Sequence, residues 1–238
     1  MTVANGVTGF DSIPEAIEAF GKRLHDLVTS RHADHRLAAR GEFLIVLDAQ
    51  HRENEGDLII AAEDFTPAKA AFMIRHTSGY ICAPILPSLA AKLELPQMVN
   101  DNRDPNRTAY TITIDAVEGT TTGISAQDRS LTCRKLADSK VRKETFRKPG
   151  HVVPLQAREG GVRTRAGHTE AATDLCRLAG KTPVGVIAEL VDDGDEVDGF
   201  GERSGGFGMM RRDGCLAFAK KYGLKVITIE DLIRHLES

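Results

Sequence analysis

Two short apolar runs, Phe43-Leu44-Ile45-Val46-Leu47 and Leu58-Ile59-Ile60-Ala61-Ala62, are joined by only ten residues, and that spacing constrains the fold more than any other stretch. Runs of this length, bounded by Gly41 and by polar clusters, read as buried strands. The chain therefore leaves a sheet after Leu47 and returns at Leu58 through a tight loop, which Gly56 allows to turn. The connecting stretch, D-A-Q-H-R-E-N-E-G-D from Asp48 to Asp57, holds four carboxylates and Arg52. Most charged turns are solvated acidic loops, and charge alone favours that reading. Here, however, Arg52 stands beside Glu53, with Glu55 and Asp57 following. Carboxylates are hard oxygen ligands for a divalent cation, and the guanidinium is a fork for a phosphate or carboxylate.

An Arg-Glu pair followed by Glu also occurs in the helix of Nudix pyrophosphohydrolases. That motif needs a Glu eight residues before the Arg and a Gly six residues earlier still. This chain has Leu44 and Ala38 there, so the reading fails.

Around this hairpin, helices and strands intersperse along all 238 residues. Ser12 with Glu15 is a capping box for a helix bearing Ile17, Phe20, Leu24 and Leu27 at helical spacing. Thr66-Pro67 opens a helix to about Arg75, Tyr80-Ile81-Cys82 reads as a short strand, and Pro87 to Leu95 as a short helix. Gln97 to Arg107 is a polar surface loop. Ala109 to Asp115 alternates as a half-buried strand, and the turn G-T-T-T-G (Gly119 to Gly123) leads through Ser125 into a helix ending near Leu136. Lys140 to Lys148 reads as a basic connector, and His151 to Leu155 as the apolar stretch beyond it. Pro183 to Leu190 is a strand, Met209 to Tyr222 a helix closed by Gly223, and Leu224 to Thr228 the last strand, with Thr228 and Asp231 capping the final helix. The pattern predicts an α/β fold: a single layered catalytic domain, residues 1–238, with a mixed twisted sheet covered by helices. Residues 1–11 read as a flexible N-terminus, 21–40 as an insertion in which His32 and His35 have no metal role, and 192–208 as a flexible loop rich in Gly and acids.

The net charge of −3 offers no basic footprint for nucleic acid. No apolar run approaches the length of a membrane span, and the first residues lack a signal-peptide pattern. Cys82, Cys133, Cys176 and Cys215 lie far apart with no C-x-x-C pair, which excludes a cysteine zinc site or a disulfide framework and predicts a cytoplasmic protein with reduced thiols. Two further stretches carry chemistry. From Arg163 to Glu170, R-T-R-A-G-H-T-E brings Arg165, Gly167, His168 and Thr169 to a helix N-terminus, where backbone N–H groups favour an anion and His168 is a candidate ligand or base. A Thr/Glu-capped helix with a part-exposed His explains that stretch equally well. Glu189 ends an apolar strand, where a carboxylate is either paired or functional.

Taken in order, R-E-N-E-G-D, G-T-T-T-G-I-S-A-Q-D-R, P-G-H-V-V-P-L, R-A-G-H-T-E-A and G-V-I-A-E-L make the chain resemble 3,4-dihydroxy-2-butanone 4-phosphate synthases of riboflavin biosynthesis, from about Gly41 to Leu236. The resemblance implies a magnesium-dependent lyase converting D-ribulose 5-phosphate to L-3,4-dihydroxy-2-butanone 4-phosphate and formate. It also implies a homodimer in which the partner completes each active site. Carried over by motif, Glu53 and His168 hold the metal, Arg52 and Asp57 the substrate hydroxyls, and Arg165, Ala166, Gly167, His168 and Thr169 the phosphate side. Asp48, Glu55, His151 and Glu189 match acid, base or substrate-binding positions. Cys82 lies on the site wall, read either as a thiol open to modification or as a buried small apolar residue.

The chemistry suits these residue types. Enolising a ketose phosphate needs a base, a divalent ion for the enediolate oxygens, and donors for the phosphate. Two Mg2+ ions are expected per site, with Mn2+ able to substitute. The run Asp48-Ala49-Gln50-His51 is less acidic than is usual before this motif. The chain also stops short of the zinc-cysteine domain of fused GTP cyclohydrolase II proteins, so a monofunctional enzyme is expected. Two competing readings are a different sugar-phosphate isomerase or aldolase on the same site, and an RNA- or nucleotide-binding domain of similar layered architecture.

Overall fold

The computed structural model describes residues 9–21, 43–196 and 203–238, with backbone alone for Glu196, Arg203 and Ser204. The two apolar runs pair with each other: β1 (Leu44–Leu47) and β2 (Gly56–Ala61) are antiparallel, with Leu47 opposite Gly56. Successive side chains of a strand point to opposite faces, and here both faces are covered. Ile45, Leu47, Leu58 and Ile60 enter one core, and Leu44, Val46, Ile59 and Ala61 the other. That double burial is why neither run shows a polar alternation.

The remaining strands are β3 (Cys82–Ile85), β4 (Ile114–Ala116), β5 (Phe146–Gln156), β6 (Gly185–Glu189), β7 (Val191–Asp192), β8 (Asp195–Glu196), β9 (Arg203–Ser204), β10 (Gly208–Met209) and β11 (Lys225–Thr228). Five of these join β1 and β2 in one mixed seven-stranded sheet of order β11-β1-β2-β6-β3-β5-β4. The β1/β11 and β3/β5 pairs are parallel and the rest antiparallel. Helices α1 (Ile13–Gly21), α5 (His168–Leu178) and α7 (Ile229–Glu237) pack on one face. The other face carries α2 (Pro67–His76), α3 (Pro87–Lys92), α4 (Ala126–Leu136) and α6 (Arg212–Tyr222). The expected layered α/β domain on a mixed sheet is what forms.

The caps are made by the expected side chains. Ser12 N donates to Glu15 Oε2 at 3.2 Å, and Ser12 Oγ accepts from Glu15 N at 3.5 Å. Thr66, Ser125 and Thr228 each accept from the backbone N–H three residues on. Such bonds give first-turn N–H groups the acceptors that the helix cannot supply.

Four expectations need correction. The basic connector ends early, because β5 begins at Phe146 and runs through Pro149. A register shift in β4 between Ile114 and Asp115 lies alongside, and a bulge is where a strand tolerates proline. Ala109 to Asp115 forms a strand only from Ile114, preceded by isolated bridges at Tyr110 and Thr111. Where it is described, 192–208 is not a free loop: β7 pairs with β10 and β8 with β9. Asp11, placed in the flexible N-terminus, is bound to β11 through Val226 N and Lys225 Nζ, both at 2.8 Å. Residues 1–8, the expected insertion from 22 to 40 with Leu24, Leu27, His32 and His35, and residues 197–202 lie outside the described residues.

Candidate active site

Strand polarity collects the motifs at one edge of the sheet. β1 ends there, β2 begins there and β6 ends there, so that Asp57 stands directly opposite Glu189. Cys82 opens β3 opposite Ile187, and His151 lies two residues before Val153, the partner of Cys82 on β5. Ile59, Ile187, Cys82 and Val153 all belong to the α5-side core, so alternation sends Asp57, Glu189 and His151 to that same face.

The acidic loop is organised around Asp48, whose side chain is wholly buried. Its Oδ1 accepts from Glu55 N at 2.8 Å, and its Oδ2 accepts from Glu53 N at 3.1 Å and from Arg52 Nη1 at 2.7 Å. Arg52 is also ion-paired with Glu53. The other Glu53 oxygen accepts from Asn106 Nδ2 at 2.5 Å. Asn54 adopts the left-handed region at φ 55°, which aims two successive carbonyls outward. Arg211 Nη1 binds both, Glu53 O at 2.7 Å and Asn54 O at 2.9 Å. Asn106 and Arg211 were missed in the sequence. One sits in a stretch that reads as polar surface, the other at the mouth of a helix, and no local pattern ties either to Glu53.

His168 is buried at the start of α5. Its Nε2 lies 3.1 Å from the Val46 carbonyl, which only accepts, so Nε2 carries the hydrogen and Nδ1 keeps its lone pair. That Nδ1 is 3.6 Å from Asp57 Oδ1. Burial holds the His168 pKa below the ordinary histidine value. Asp57 is pushed well above the usual carboxylate range, first by burial and then by Glu189, Glu53, Asp48 and Glu55. Glu55 is raised by burial and by Glu53. A neutral imidazole whose free lone pair faces crowded carboxylates is a donor set that suits a divalent cation. Among the described residues no group of three His, Cys, Asp or Glu side chains forms a ready-made cage.

At the N-terminus of α5, the cap residue Gly167 offers no side chain to the first-turn N–H groups. The alternative of a Thr/Glu-capped helix is not what forms, because Thr169 and Glu170 lie inside the first turn and are buried. Arg165, expected at the phosphate, already has three engagements: Glu170 Oε2 at 2.6 Å, Thr108 Oγ1 at 3.1 Å and Asn106 O at 3.2 Å. The bridge to Glu170 passes so close to Gly167 that a Cβ there would lie 2.3 Å from Arg165 Nη1. Ala166 is exposed beside it.

Farther along the edge, the His151 ring is 40% exposed and its Nδ1 lies 2.8 Å from Asp115 Oδ2. Cys82 is only 2% exposed, and burial, followed by Glu189 and Asp57, drives its thiol pKa well up. A thiol held protonated and covered fits the second of the two readings of Cys82, a packing residue. Glu189 is half-buried and accepts from Ser78 Oγ at 2.9 Å.

Comparison with known proteins agrees with the motif order. The family model described as 3,4-dihydroxy-2-butanone 4-phosphate synthase matches residues 35–235. The chain is 54% identical over 231 residues to the 3,4-dihydroxy-2-butanone 4-phosphate synthase of Pyricularia oryzae, covering 97% of this chain and 91% of that one. It is 54% identical over 198 residues to the Schizosaccharomyces pombe enzyme of the same name, covering 83% and 92%. A solved crystal structure of 3,4-dihydroxy-2-butanone 4-phosphate synthase in complex with two magnesium ions superimposes with a TM-score of 0.86 at 54% identity, covering 96% of this chain and 97% of that one. With its motifs gathered at one sheet edge and its fold and sequence shared over nearly the whole length, the chain belongs to the 3,4-dihydroxy-2-butanone 4-phosphate synthase family, a family of lyases.

Proposed function

We propose that this lyase converts D-ribulose 5-phosphate to L-3,4-dihydroxy-2-butanone 4-phosphate and formate in riboflavin biosynthesis. The observation that carries the reading is the convergence of Glu53, Glu55, Asp57, His168 and Glu189 at one strand-end crevice, the usual ligand position of an open α/β sheet. Glu53 and His168 would hold Mg2+, with Mn2+ as substitute and two ions per site. When bound, the metal supplies Lewis-acid stabilisation of adjacent substrate oxygens.

The protein groups divide the remaining work. Arg52 and Asp57 orient the sugar hydroxyls. The bare first turn of α5, from Gly167 to Thr169, takes the phosphate side, with Arg165 fixing the loop through its three bonds. Asp57, raised by burial and then by Glu189 opposite it across β2 and β6, is suited to carry a proton that the substrate gives or takes. Glu55 adds a second raised carboxyl. Asp48 acts by holding the loop.

His151 lies two strands from Glu189, roughly 10 Å at ordinary strand spacing. It is therefore assigned to a neighbouring subunit's site in a homodimer. Exposed apolar side chains of Tyr80, Val117 and Ile124, on segments flanking His151 and Asp115, favour a protein contact there. No helix of the described residues is long and apolar enough to cross a membrane. The test is formate release from ribulose 5-phosphate with and without a chelator. Isomerised or cleaved sugar without formate would establish one of the competing sugar-phosphate reactions instead.

A further inference from the structure

We infer that Asp115 is the positioning residue of His151, fixing its tautomer and ring orientation so that Nε2 is the atom that accepts and returns a proton. The inference rests on the proposed function, with His151 taken as an acid or base of the neighbouring subunit's site. Asp115 is 1% exposed, and each of its oxygens engages His151: Oδ1 accepts from the His151 backbone N at 2.9 Å, and Oδ2 faces the ring Nδ1 at 2.8 Å. An ionised carboxylate only accepts, so Nδ1 carries the hydrogen and the neutral ring keeps its lone pair on Nε2. This is the opposite tautomer to that of His168, which fits a different task. The charged groups facing the ring are Asp115 from β4 and Arg147 from β5, whose Nη2 lies 3.3 Å from Asp115 Oδ2 and donates to Thr121 O at 3.2 Å.

Two motif glycines are explained by this pair. A Cβ on Gly123, at φ +103°, would lie 2.0 Å from Asp115 Oδ2 and 2.6 Å from His151 Nδ1, directly over the hydrogen bond. A Cβ on Gly150 would lie 2.0 Å from the Ile114 carbonyl carbon and 2.3 Å from Asp115 N. The glycines of G-T-T-T-G and P-G-H thus let two backbone segments close on the dyad, an approach that any side chain would block. A buried carboxylate that served only the fold would not require Gly123 to press on its bond to one half-exposed imidazole.

The test combines kinetics with spectroscopy on the intact enzyme. Asp115→Asn presents an NH2 group to Nδ1 and favours the reverse tautomer. We expect kcat for formate release to fall on the order of 100-fold with KM little changed. His151→Ala and the double variant Asp115→Asn/His151→Ala should lose equal activity, as groups acting in one unit do. Independently of turnover, 15N spectra of histidine-labelled wild-type enzyme should show neutral His151 protonated at Nδ1. Additive losses in the double variant, or a wild-type His151 protonated at Nε2, would each overturn the inference. Absence of formate release by the wild type would instead sink the reaction assignment, leaving the tautomer to be decided by the spectrum.

Discussion

Replacing Asp48 by Asn tests whether this carboxylate serves the loop or the chemistry. The amide has one oxygen where the carboxylate has two. Turned to keep the bond from Glu55 N, it sets its NH2 against both Glu53 N and Arg52 Nη1. Turned the other way, it keeps those two contacts at neutral strength and sets the NH2 against Glu55 N. The second arrangement costs less: one bond to a charged group is lost, at about 1.5–3 kcal/mol, and two are weakened, for a total of about 3 kcal/mol. If the loop stays closed, the whole cost falls on global stability, and Tm should drop by roughly 6–12 °C for a domain of this size. If the loop opens locally, the same energy appears as lost affinity, on the order of 100-fold for Mg2+ or sugar phosphate. Thermal denaturation and calorimetric titration of the same variant cover both routes. A variant with wild-type Tm, metal affinity and KM but a collapsed kcat would refute the loop argument and place Asp48 on the reacting atoms.

Three further outcomes are expected. Burial and Lys181 depress the Lys69 pKa to about 7, below the unfolded value, so the charge-burial cost is fully present below pH 7 and is relieved as pH rises towards 10. Lys69→Met should therefore stabilise more at pH 6 than at pH 9, by about 2–3 kcal/mol in denaturant melts, and equal gains at both pH values would disprove it. Glu53→Gln and His168→Ala should each abolish formate release and weaken Mg2+ binding by calorimetry while the circular dichroism spectrum is retained; wild-type Mg2+ affinity in His168→Ala would remove it from the metal site. Cys82 should resist alkylation in the native enzyme and react only in denaturant, whereas fast labelling that substrate prevents would restore it as an accessible site thiol.

What could be read from the sequence was local. Ser12, Thr66, Ser125 and Thr228 announce helix starts because a cap needs only a side chain and an N–H three residues away. The β1–β2 hairpin was legible because both strands are buried on both faces. Strand order was not: nothing near Glu189 indicates that β6 inserts between β2 and β3 and sets that carboxylate opposite Asp57. Asp115 escaped for the same reason, since its partner lies 36 residues away and an alternating stretch gives its polar members to solvent by default. That Arg165 also binds Thr108 and Asn106 could not be read either, because those two acceptors come from a distant loop. The basic stretch before Pro149 was misread because charge and proline both argue against a strand, while the irregularity in β4 that makes room for one has no signature of its own.

The face-to-face placement of Asp57 and Glu189 makes the sheet edge internally opposed, since like charges directly across a strand pair destabilise it. A cation or a bound proton relieves that opposition, so the vacant protein is the fragile form. A ligand at 100 times its dissociation constant adds about 2.7 kcal/mol to the free energy of unfolding. Heat tolerance thereby becomes a gauge of occupancy: melting temperatures recorded across a series of divalent ions would rank them by how well each resolves the conflict, with no turnover needed.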